Sequence, residues 1–576
     1  MEQSSDSRIN IIRLEKESNI NFRQRRHPDW TENYLLYRDR VITNRLTQRQ
    51  SVNIPIMKYS IKSLLKDVDE PPLIYYGSLE NDDHKEMIYN EVWKDASRRN
   101  KIIIKDIIDK KQVFLFGRSF KKLNIVNGRF FWEIIDPQDM LVSRYVDPST
   151  IDSSRSLIHQ HIFKPISVLD QNDFYDKSKI NELRAFFATD MGLFKAMENA
   201  RDAVERGDRM RAMGVPDVDN PVLGEVYVEL NEVYMYKYDP AKEKEVIYLT
   251  VMAEDTHVLA EAPLYELIGE TVDSYWDDHY PFTSWGDDYD RTDFWSDSIA
   301  DTLRPINRVV NAWFSQLVEN RTLRNFGMNY YDATTSNFTP QTFAPVPWGW
   351  YPVPGNPSEM IKNVEIPDLK DSLEEIQFLM TIAEKATGAT ATQQGQLEQR
   401  KVTRGEIQLA LQNAKERVKS MAVFYNDSWE EFGLKYTKMI EAAPDLLDNL
   451  TLVRKGKNGN GNYPKLVKPD DYLSKHGYTI EIKQVADKSQ EDIESIQKLN
   501  AARSIMPNNK PLDDIYKKKI LEFSGCTMDE VTKILEAEKQ NMQQQNPPLL
   551  PPTANGGTGN GSVSTQTTPA PMLQPN

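Results

Sequence analysis

Hydrophobic residues in the first part of the chain follow helical spacing. From Pro28 onward they recur every three to four positions, as in an amphipathic helix, at Trp30, Tyr34, Tyr37 and Val41. A second helical segment, NIPIMKYSIKSLLKDVDEPP, ends at two consecutive prolines. Residues 84–114 continue the helical pattern. Their expected buried side is marked by Met87, Val92, Ile102 or Ile103, and Ile107.

Two later regions favour β-structure. Residues 113–142 alternate in polarity, and Asn127-Gly128 between two apolar runs is a strong β-hairpin signal. Residues 225–264 predict a second sheet element, and residues 174–213 between the two regions return to a helical pattern. The first half of the chain therefore mixes helix and sheet.

Long helices dominate the second half. One apolar stripe predicts a helix that runs to about Phe326. Pro305 lies inside this pattern and should kink the helix or delay its regular part. Residues 327–367 contain too many prolines to be helical, and a helix resumes at 368–387 with Gly388 as a natural C-cap. The predicted packing residues of these two helices are Ile299, Leu303, Ile306, Val310, Trp313, Leu317, Leu373, Ile376 and Met380.

A third long helix follows a polar, glutamine-rich stretch. Thr403 and Glu406 have the spacing of a capping box, and about 35 residues of helical pattern follow them. Short helical segments occupy residues 487–539. Residues 540–576 carry no charged side chain and too little apolar area to order themselves.

The N-terminal residues have the composition of a polar arm. They end in a basic cluster, Arg23, Arg25 and Arg26. That cluster could contact an acidic partner or DNA, and the favoured interpretation is a solvated tail.

Charge and composition narrow the function classes. The chain has 576 residues and a formal net charge of −15, so it is a poor candidate for gripping nucleic acid through phosphate neutralisation. No run of about 18 apolar residues predicts a membrane span, and the polar N-terminus does not read as a signal peptide. One cysteine, Cys526, excludes an internal disulfide framework and fits a reducing cytosol.

The most acidic stretch, residues 273–305, raises the question of a metal site. Asp287, Asp288, Asp290 and Asp293 cluster there. A calcium loop starting at Asp288 fails, because Asp293 occupies the position of the required glycine and Ile299 that of the bidentate glutamate. A two-metal hydrolase site is an alternative, although no partner ligands are evident elsewhere. The favoured interpretation is an exposed acidic loop in which Asp293 or Asp297 caps the following helix.

Nucleotide-binding and catalytic motifs are missing from the sequence. There is no phosphate-binding Gly-x-x-x-x-Gly-Lys loop, no dinucleotide fingerprint, no Gly-x-Ser-x-Gly elbow and no Cys/His nucleophile arrangement. The sequence therefore favours a structural protein that is not an enzyme and needs no cofactor or metal.

The succession of segments resembles the portal proteins of tailed bacteriophages, in the group of large portals of short-tailed and crAss-like phages. The segments that carry the resemblance are WTENYLLYRDRVITNRLTQRQSVNIPIMKYSIKSLLKDVDEPP, GRSFKKLNIVNGRFFWEIIDPQDMLVSRYVDP, HYPFTSWGDDYDRTDFWSDSIADTLRPINRVVNAW, KATGATATQQG and VTRGEIQLAL. The resemblance covers residues 28 to 540, and it rests on the order of the segments because no single motif is specific.

The resemblance implies an α+β portal fold with wing β-elements, a helical stem, a clip and a helical crown. The implied parts are a flexible N-terminal arm (1–27), wing (28–296), stem helices (297–326 and 368–387), clip (327–367), channel loop (388–402), long helix with return wing segment (403–486), crown (487–540) and disordered tail (541–576).

The same resemblance implies partners and candidate residues. Portals form homo-oligomeric rings, typically of twelve subunits, at one capsid vertex, and they are assembled in the bacterial cytoplasm. The expected partners are the major capsid protein, terminase, neck or adaptor proteins, tail proteins and double-stranded DNA read without sequence preference. Channel-loop candidates are Gln393, Gln394, Gln396, Gln399, Arg400 and Lys401. Clip-interface candidates are Tyr330, Tyr331, Phe338, Trp348, Trp350 and Tyr351.

Two rival functions remain at the level of the sequence. One is another head–tail connector ring, against which the length and the clip-like insertion argue. The other is a metal-dependent nucleic-acid enzyme that uses the aspartates at 287–293.

Overall fold

The structure is a computed structural model that mixes helix and sheet, as the hydrophobic pattern predicts. It describes residues 2–39, 52–67, 71–80, 82–126, 129–205, 226–326, 329–331, 361–363, 372–387, 404–443, 450–455, 462–474, 477–483, 496–503, 513, 515–517 and 520. The chain divides into a large unit, residues 1–485, and a small unit, residues 486–576. Within the small unit, residues 496–503 are helical.

Helices of the large unit range from short turns to a helix of 39 residues. They are α1 (Glu2–Gln24), α2 (His27–Tyr37), α3 (Ile56–Asp67), α4 (Asp83–Arg99), α5 (Ile102–Phe116), α6 (Ile166–Asp170), α7 (Lys177–Phe187), α8 (Asp190–Glu205), α9 (Leu264–Ile268), α10 (Ile299–Phe326), α11 (Ser372–Thr387), α12 (Arg404–Ala442) and α13 (Pro469–Tyr472).

Strands of the large unit form antiparallel ladders. They are β1 (Leu73–Ser78), β2 (Arg118–Val126), β3 (Arg129–Ile135), β4 (Met140–Val142), β5 (Ser156–Pro165), β6 (Tyr227–Asp239), β7 (Lys244–Ala253), β8 (His257–Pro263), β9 (Phe282–Gly286), β10 (Asn329–Tyr331), β11 (Ile361–Asn363), β12 (Leu450–Lys455), β13 (Asn462–Val467) and β14 (Tyr478–Lys483).

Two sheets organise this unit. A five-stranded sheet has the order β4-β5-β6-β7-β8, and a three-stranded sheet has the order β3-β2-β9. Strands β2 and β3 flank residues 127–128 and pair in antiparallel register from Val126↔Arg129 to Phe120↔Ile135, so the hairpin prediction is confirmed. Strand β9 comes from the acidic stretch and adds to the other edge of β2. The hairpin and the start of the acidic stretch are thus parts of one sheet.

An aromatic core joins the helices to the three-stranded sheet. Trp93 of α4 stacks on Trp132 of β3 with ring centroids 5.9 Å apart, and Trp132 meets Phe432 of α12 edge to face at 5.5 Å. Tyr436 of α12 packs edge to face against Trp93 at 4.9 Å. Each large buried ring removes much apolar surface from water, and edge-to-face pairs add directional preference. These contacts fix α12 against the sheet.

The N-terminal segment is a helix, whereas the sequence predicts a flexible polar arm over residues 1–27. Ile12 is buried in a small core with Leu141 and Ile158 of the five-stranded sheet. Arg23 is buried and donates hydrogen bonds to the carbonyl oxygens of Gln138 and Met140. A few widely spaced apolar residues are enough to dock this helix on the sheet. The polar composition of the segment therefore did not indicate a flexible arm.

Candidate functional site: the acidic junction and the long helices

Part of the acidic stretch connects β9 to α10, and two aspartates of this connection, Asp293 and Asp297, are engaged within the molecule. Asp293 accepts a hydrogen bond from the Trp295 backbone N–H at 3.0 Å. Arg26, which follows α1, lies 3.5 Å from Asp293 and 2.5 Å from Asp297, and it also donates to the Trp295 carbonyl oxygen at 2.7 Å. Two of the carboxylates therefore bind Arg26, one residue of the basic cluster for which the sequence left a solvated tail or a partner contact open.

The cap of α10 differs from the predicted one. The Ser298 backbone N–H donates to Asp301 at 2.9 Å, and the Asp301 N–H donates to the Ser298 hydroxyl at 3.1 Å. This reciprocal pair is a capping box and satisfies donors that the first helical turn leaves open. The prediction that Asp293 or Asp297 caps the helix is wrong, because those two side chains face Arg26.

Helix α2 holds the first turns of α10 through charged side chains. Arg304 lies 3.1 Å from Asp29 and 2.7 Å from Asp301, and Arg308 forms an ion pair with Glu32. Buried Asn33 donates to Asp301 at 2.9 Å and to the Leu115 carbonyl oxygen of α5 at 3.1 Å. The start of α10 is thus fixed to both α2 and α5.

The end of α5 makes a close approach to this junction. Gly117 has φ +83°, a left-handed conformation that favours glycine at a helix C-terminus. A Cβ at this position would lie 2.0 Å from the Ser296 carbonyl oxygen. A side chain is therefore excluded by the backbone conformation and by the neighbouring chain.

The remaining aspartates of the stretch do not form a metal centre with their neighbours. Asp290 is exposed and accepts a hydrogen bond from the Thr292 N–H at 2.9 Å, which together with the Thr292 side chain lowers the pKa of Asp290. Asp288 is also exposed. Within the described ranges, no three His, Cys, Asp or Glu side chains come together in a way that could hold a metal ion.

A buried ionic cluster attaches α12 to α5 and β2. Tyr425 donates a hydrogen bond to Asp106, which also accepts from Lys110 at 2.6 Å. Lys121 lies 3.1 Å from Asp109 and donates to Ser428 at 3.1 Å. Burial raises the pKa of Asp106 to about 6, against the opposing effect of the Lys110 charge.

Another buried cation lies about two turns beyond Ser428 on α12. Lys435 is completely buried and sits 2.8 Å from both Asp152 and Glu431, and it donates to the Phe282 carbonyl oxygen at 2.6 Å. Burial alone would lower the pKa of Lys435, but the two carboxylates outweigh it and raise the pKa above its ordinary value. The cation therefore stays charged inside the protein.

The helices α10 and α11 pack against each other. Leu303, Val310 and Ile376 are buried in the main core. Ile299, Ile306, Trp313 and Met380 are partly buried against the same core, and Leu317 is partly exposed. The side chain of Leu373 lies outside the described residues.

The strands β10 and β11 connect these two helices to each other. Strand β10 follows α10 after two residues and pairs antiparallel with β11, from Asn329↔Asn363 to Tyr331↔Ile361. The chain therefore leaves α10, returns beside its own path at β11 and continues to α11.

Comparison with known proteins gives the family. Residues 29–446 match the profile of a family described as Phage SU10 portal protein. That range is well over half of the chain. The chain belongs to the Phage SU10 portal protein family. No curated protein matches it.

Membership in a portal family implies the general role of the protein. Portal proteins are a structural family, and the family implies an oligomeric ring associated with the phage capsid, that is, a component of the virion. Among the residues that the structure describes, no helix is long and apolar enough to cross a membrane. The predicted resemblance to a tailed-phage portal is confirmed.

The portal residues predicted to contact DNA and partners fall largely on segments that are not described. All six channel-loop candidates, residues 393–401, lie outside the described residues, as do Phe338, Trp348, Trp350 and Tyr351 of the clip. Tyr330 and Tyr331 lie in β10, opposite Lys362 and Ile361 of β11. These residues remain predictions.

The portal features that sequence reasoning missed are charged. Lys435, Asp106 and Asp109 are buried, although a charged residue within a helical pattern is normally assigned to the solvent side. Lys435 offered one usable signal, because it lies three residues after Phe432 and is therefore a neighbour of the apolar stripe of α12.

Proposed function

We propose that this protein forms the portal ring at one capsid vertex of a tailed phage. The ring is the conduit through which double-stranded DNA is packaged and later ejected. It is also the docking platform for terminase during packaging and for neck and tail proteins afterwards. The observation that carries this proposal is the family match over residues 29–446.

The arrangement of α10 and α11 supports the assignment of stem and clip. The two helices pack together, and the antiparallel pair β10–β11 holds the base of the insertion between them. In this proposal, residues 297–326 and 368–387 are the stem helices and residues 327–367 are the clip. Aromatic residues of the clip, such as Trp348 and Trp350, would anchor contacts with neighbouring subunits, terminase and adaptor proteins, since aromatic side chains dominate buried protein contacts.

Net charge supports passage of DNA without retention. Each chain carries a formal charge of −15, so a ring has a large net negative charge that repels phosphates. Sliding DNA requires weak contacts, which the polar residues of the loop 388–402 would supply without reading sequence. Arg400 and Lys401 are the cations of that loop and would set how strongly it holds DNA.

Imaging the purified protein tests the function itself. We expect native mass measurement and cryo-electron microscopy to show a closed ring with a central channel. A monomer that cleaves nucleic acid in a metal-dependent manner would contradict the proposal. A ring that binds completed heads but not terminase would point to a connector instead.

A loop variant tests the role of the channel cations. Replacing Arg400 and Lys401 with alanine is expected to leave ring mass unchanged and to reduce DNA packaging or retention in assembled heads. The matched control replaces Arg129 and Arg144, which are exposed on the wing region, with alanine. Equal packaging and retention by both double variants would remove the loop from the proposal.

A further inference from the structure

Helix α5 presents an apolar stripe to solvent. Ile103, Ile104, Ile107 and Ile108 are between 39% and 56% exposed, and together they cover one side of the helix. The sequence predicts that Ile102 or Ile103, and Ile107, face inward. Ile102 is partly buried against the main core, but Ile103 and Ile107 face solvent, because the inward side of α5 is occupied by Asp106, Asp109 and Lys110 and by residues from Val113 onward. Four adjacent exposed isoleucines on one helix are unusual for a surface that meets only water.

Basic side chains lie beside the C-terminal end of this stripe. Helix α3 contacts α5 and exposes Tyr59, Lys62 and Lys66. Burial, Arg38 and Lys62 together lower the pKa of Lys111, which lies one turn beyond Ile107. The positive charges of α3 and α5 are thus close enough to repel one another. We call Ile103, Ile104, Ile107 and Ile108 with Lys62 and Lys66 the basic isoleucine face.

Helix α12 presents a surface of the opposite charge. Val423 is 63% exposed and Leu434 is 37% exposed. Asp427 and Glu430 are exposed between them. The spacing of four, three and four residues places all four on one side of the helix. We call these four residues the acidic α12 face.

The two faces point in opposite directions. Helices α5 and α12 meet through their buried sides, where Tyr425 bonds Asp106 and the Lys110 ammonium lies 4.5 Å from the centre of the Tyr425 ring. On α12, residues 425, 429, 432 and 436 are buried, about half a turn around the helix from the exposed set. On α5, Ile108 is two residues from Asp106 and two residues from Lys110, which places it about half a turn around the helix from both. The layer formed by α5 and α12 therefore has a basic outer side and an acidic outer side.

We infer that the basic isoleucine face of one copy of this chain docks on the acidic α12 face of the next copy. This inference rests on the proposed function, because it names the contact that builds the ring. A head-to-tail contact joins two different surfaces and closes into a ring when the rotation per subunit permits. Opposite charges on opposite sides of one subunit favour that pairing, and equal faces repel.

DNA is the other occupant that positive charge would attract. The isoleucines at the centre of the basic face offer no contact to phosphates, whose binding uses cationic and hydrogen-bonding groups. Their apolar surface is complementary to that of Val423 and Leu434, the two apolar side chains that the acidic α12 face exposes. Contact with a second copy therefore explains the exposed apolar and charged residues of both faces, whereas contact with DNA would explain only the lysines of the basic isoleucine face.

Cross-linking between copies tests the contact directly. The chain carries Ile108→Cys and Asp427→Cys together, with its one natural cysteine removed as Cys526→Ser. Because positions 108 and 427 each lie about half a turn away from the residues through which α5 and α12 meet, a short bis-maleimide joins them only between copies. We expect a ladder of covalent oligomers on a denaturing gel. The control pairs Ile108→Cys with Phe194→Cys, a 73% exposed position on α8 that belongs to neither face.

Charge reversal gives a second, independent measurement. Lys62→Glu with Lys66→Glu makes both faces acidic, and Asp427→Lys with Glu430→Lys makes both faces basic. Each double variant alone is expected to need at least tenfold more protein for half-assembly than the wild type. An equal mixture of the two is expected to assemble again, since each face then finds an opposite partner. Circular dichroism checks that the subunits are folded.

The outcomes separate this inference from the proposed function. If the wild type forms rings and neither double variant shifts assembly, or the control pair cross-links as well as the test pair, then the ring stands and this contact is wrong. If the acidic double variant keeps its ring mass but loses retention of a linear DNA duplex, the face binds DNA and the inference is overturned. If the wild type forms no ring, the proposed function itself fails.

Discussion

Two long helices of this protein are attached to neighbouring elements by charged side chains, but in different surroundings. Helix α12 is held by Lys435 and by Tyr425 bonded to Asp106, and all three side chains are buried. Helix α10 is held by Arg304 and Arg308, which lie at or near the surface. The difference is one of dielectric environment rather than of chemistry.

The comparison shows what each kind of attachment depends on. A buried charge has lost its hydration, so removal of one partner leaves the other without compensation. A charge at the surface recovers water when its partner is removed, and salt screens the pair in any case. Helix α12 should therefore respond strongly to a single change and α10 weakly, although both carry several ion pairs.

The largest effect is expected at Lys435. Lys435→Met leaves Asp152 and Glu431 without their cation and should lower the free energy of unfolding by about 3 to 5 kcal/mol. Chemical denaturation at matched assembly state measures this. The control is Lys438→Met on the same helix, whose partners Asp273 and Glu441 are partly exposed, and for which a loss of about 1 kcal/mol or less is expected. Equal losses of unfolding free energy in the two variants would contradict the distinction between buried and exposed ion pairs.

The second effect concerns pH. Because burial raises the pKa of Asp106 to about 6 from an ordinary value of 3.8, the folded state binds a proton more tightly than the unfolded state. The contribution of protonated Asp106 to the free energy of unfolding is fully present below about pH 4 and is lost as the pH rises through about 6. The stability of the wild type relative to Asp106→Asn should therefore fall by up to about 3 kcal/mol between pH 4 and pH 7. Denaturation curves at four pH values measure it, and a constant difference would contradict it.

A smaller effect is expected at the cap of α10. Ser298→Ala removes the hydroxyl that accepts from the Asp301 N–H and should cost about 1 kcal/mol. Hydrogen exchange of the first turns of α10 is the sensitive measurement, because the loss is local. The control is Thr302→Ala, an exposed position one turn later, which should leave exchange nearly unchanged. Faster exchange in the control alone would show that the cap is elsewhere.

The smallest effect is expected at Arg308. Its pair with Glu32 is at the surface, so Arg308→Met should change the free energy of unfolding by less than about 1 kcal/mol. Raising the salt concentration to about 1 M shortens the screening length to about 3 Å and should abolish even that difference. A loss comparable to that of Lys435→Met would break the comparison between the two helices.

Much of the architecture could be predicted from local pattern. Apolar spacing from Ile299 to Leu317 predicts α10, and the Thr403–Glu406 box followed by an apolar stripe predicts α12, because one face of each helix must be buried. Asn127-Gly128 predicts the β2–β3 hairpin through its backbone preference. The order of such elements was enough to indicate the portal family.

The candidate site was less accessible from the sequence. Arg26 lies more than 260 residues from Asp293 and Asp297 along the chain, and no local rule relates them. The same is true of Lys435 and Asp152. Charged residues look alike in a one-dimensional pattern whether they end in water or in a buried pair.

The sequence by itself determined the periodic helices, the hairpin, the acidic net charge and the family, since these depend on spacing and composition. Only the tertiary structure decided that α1 docks on the five-stranded sheet, that Ser298 and Asp301 cap α10 and that the isoleucines of α5 face outward. Those outcomes depend on which distant surfaces meet. A side chain's environment is set by its neighbours in space, and the chain's folding chooses these neighbours over hundreds of residues.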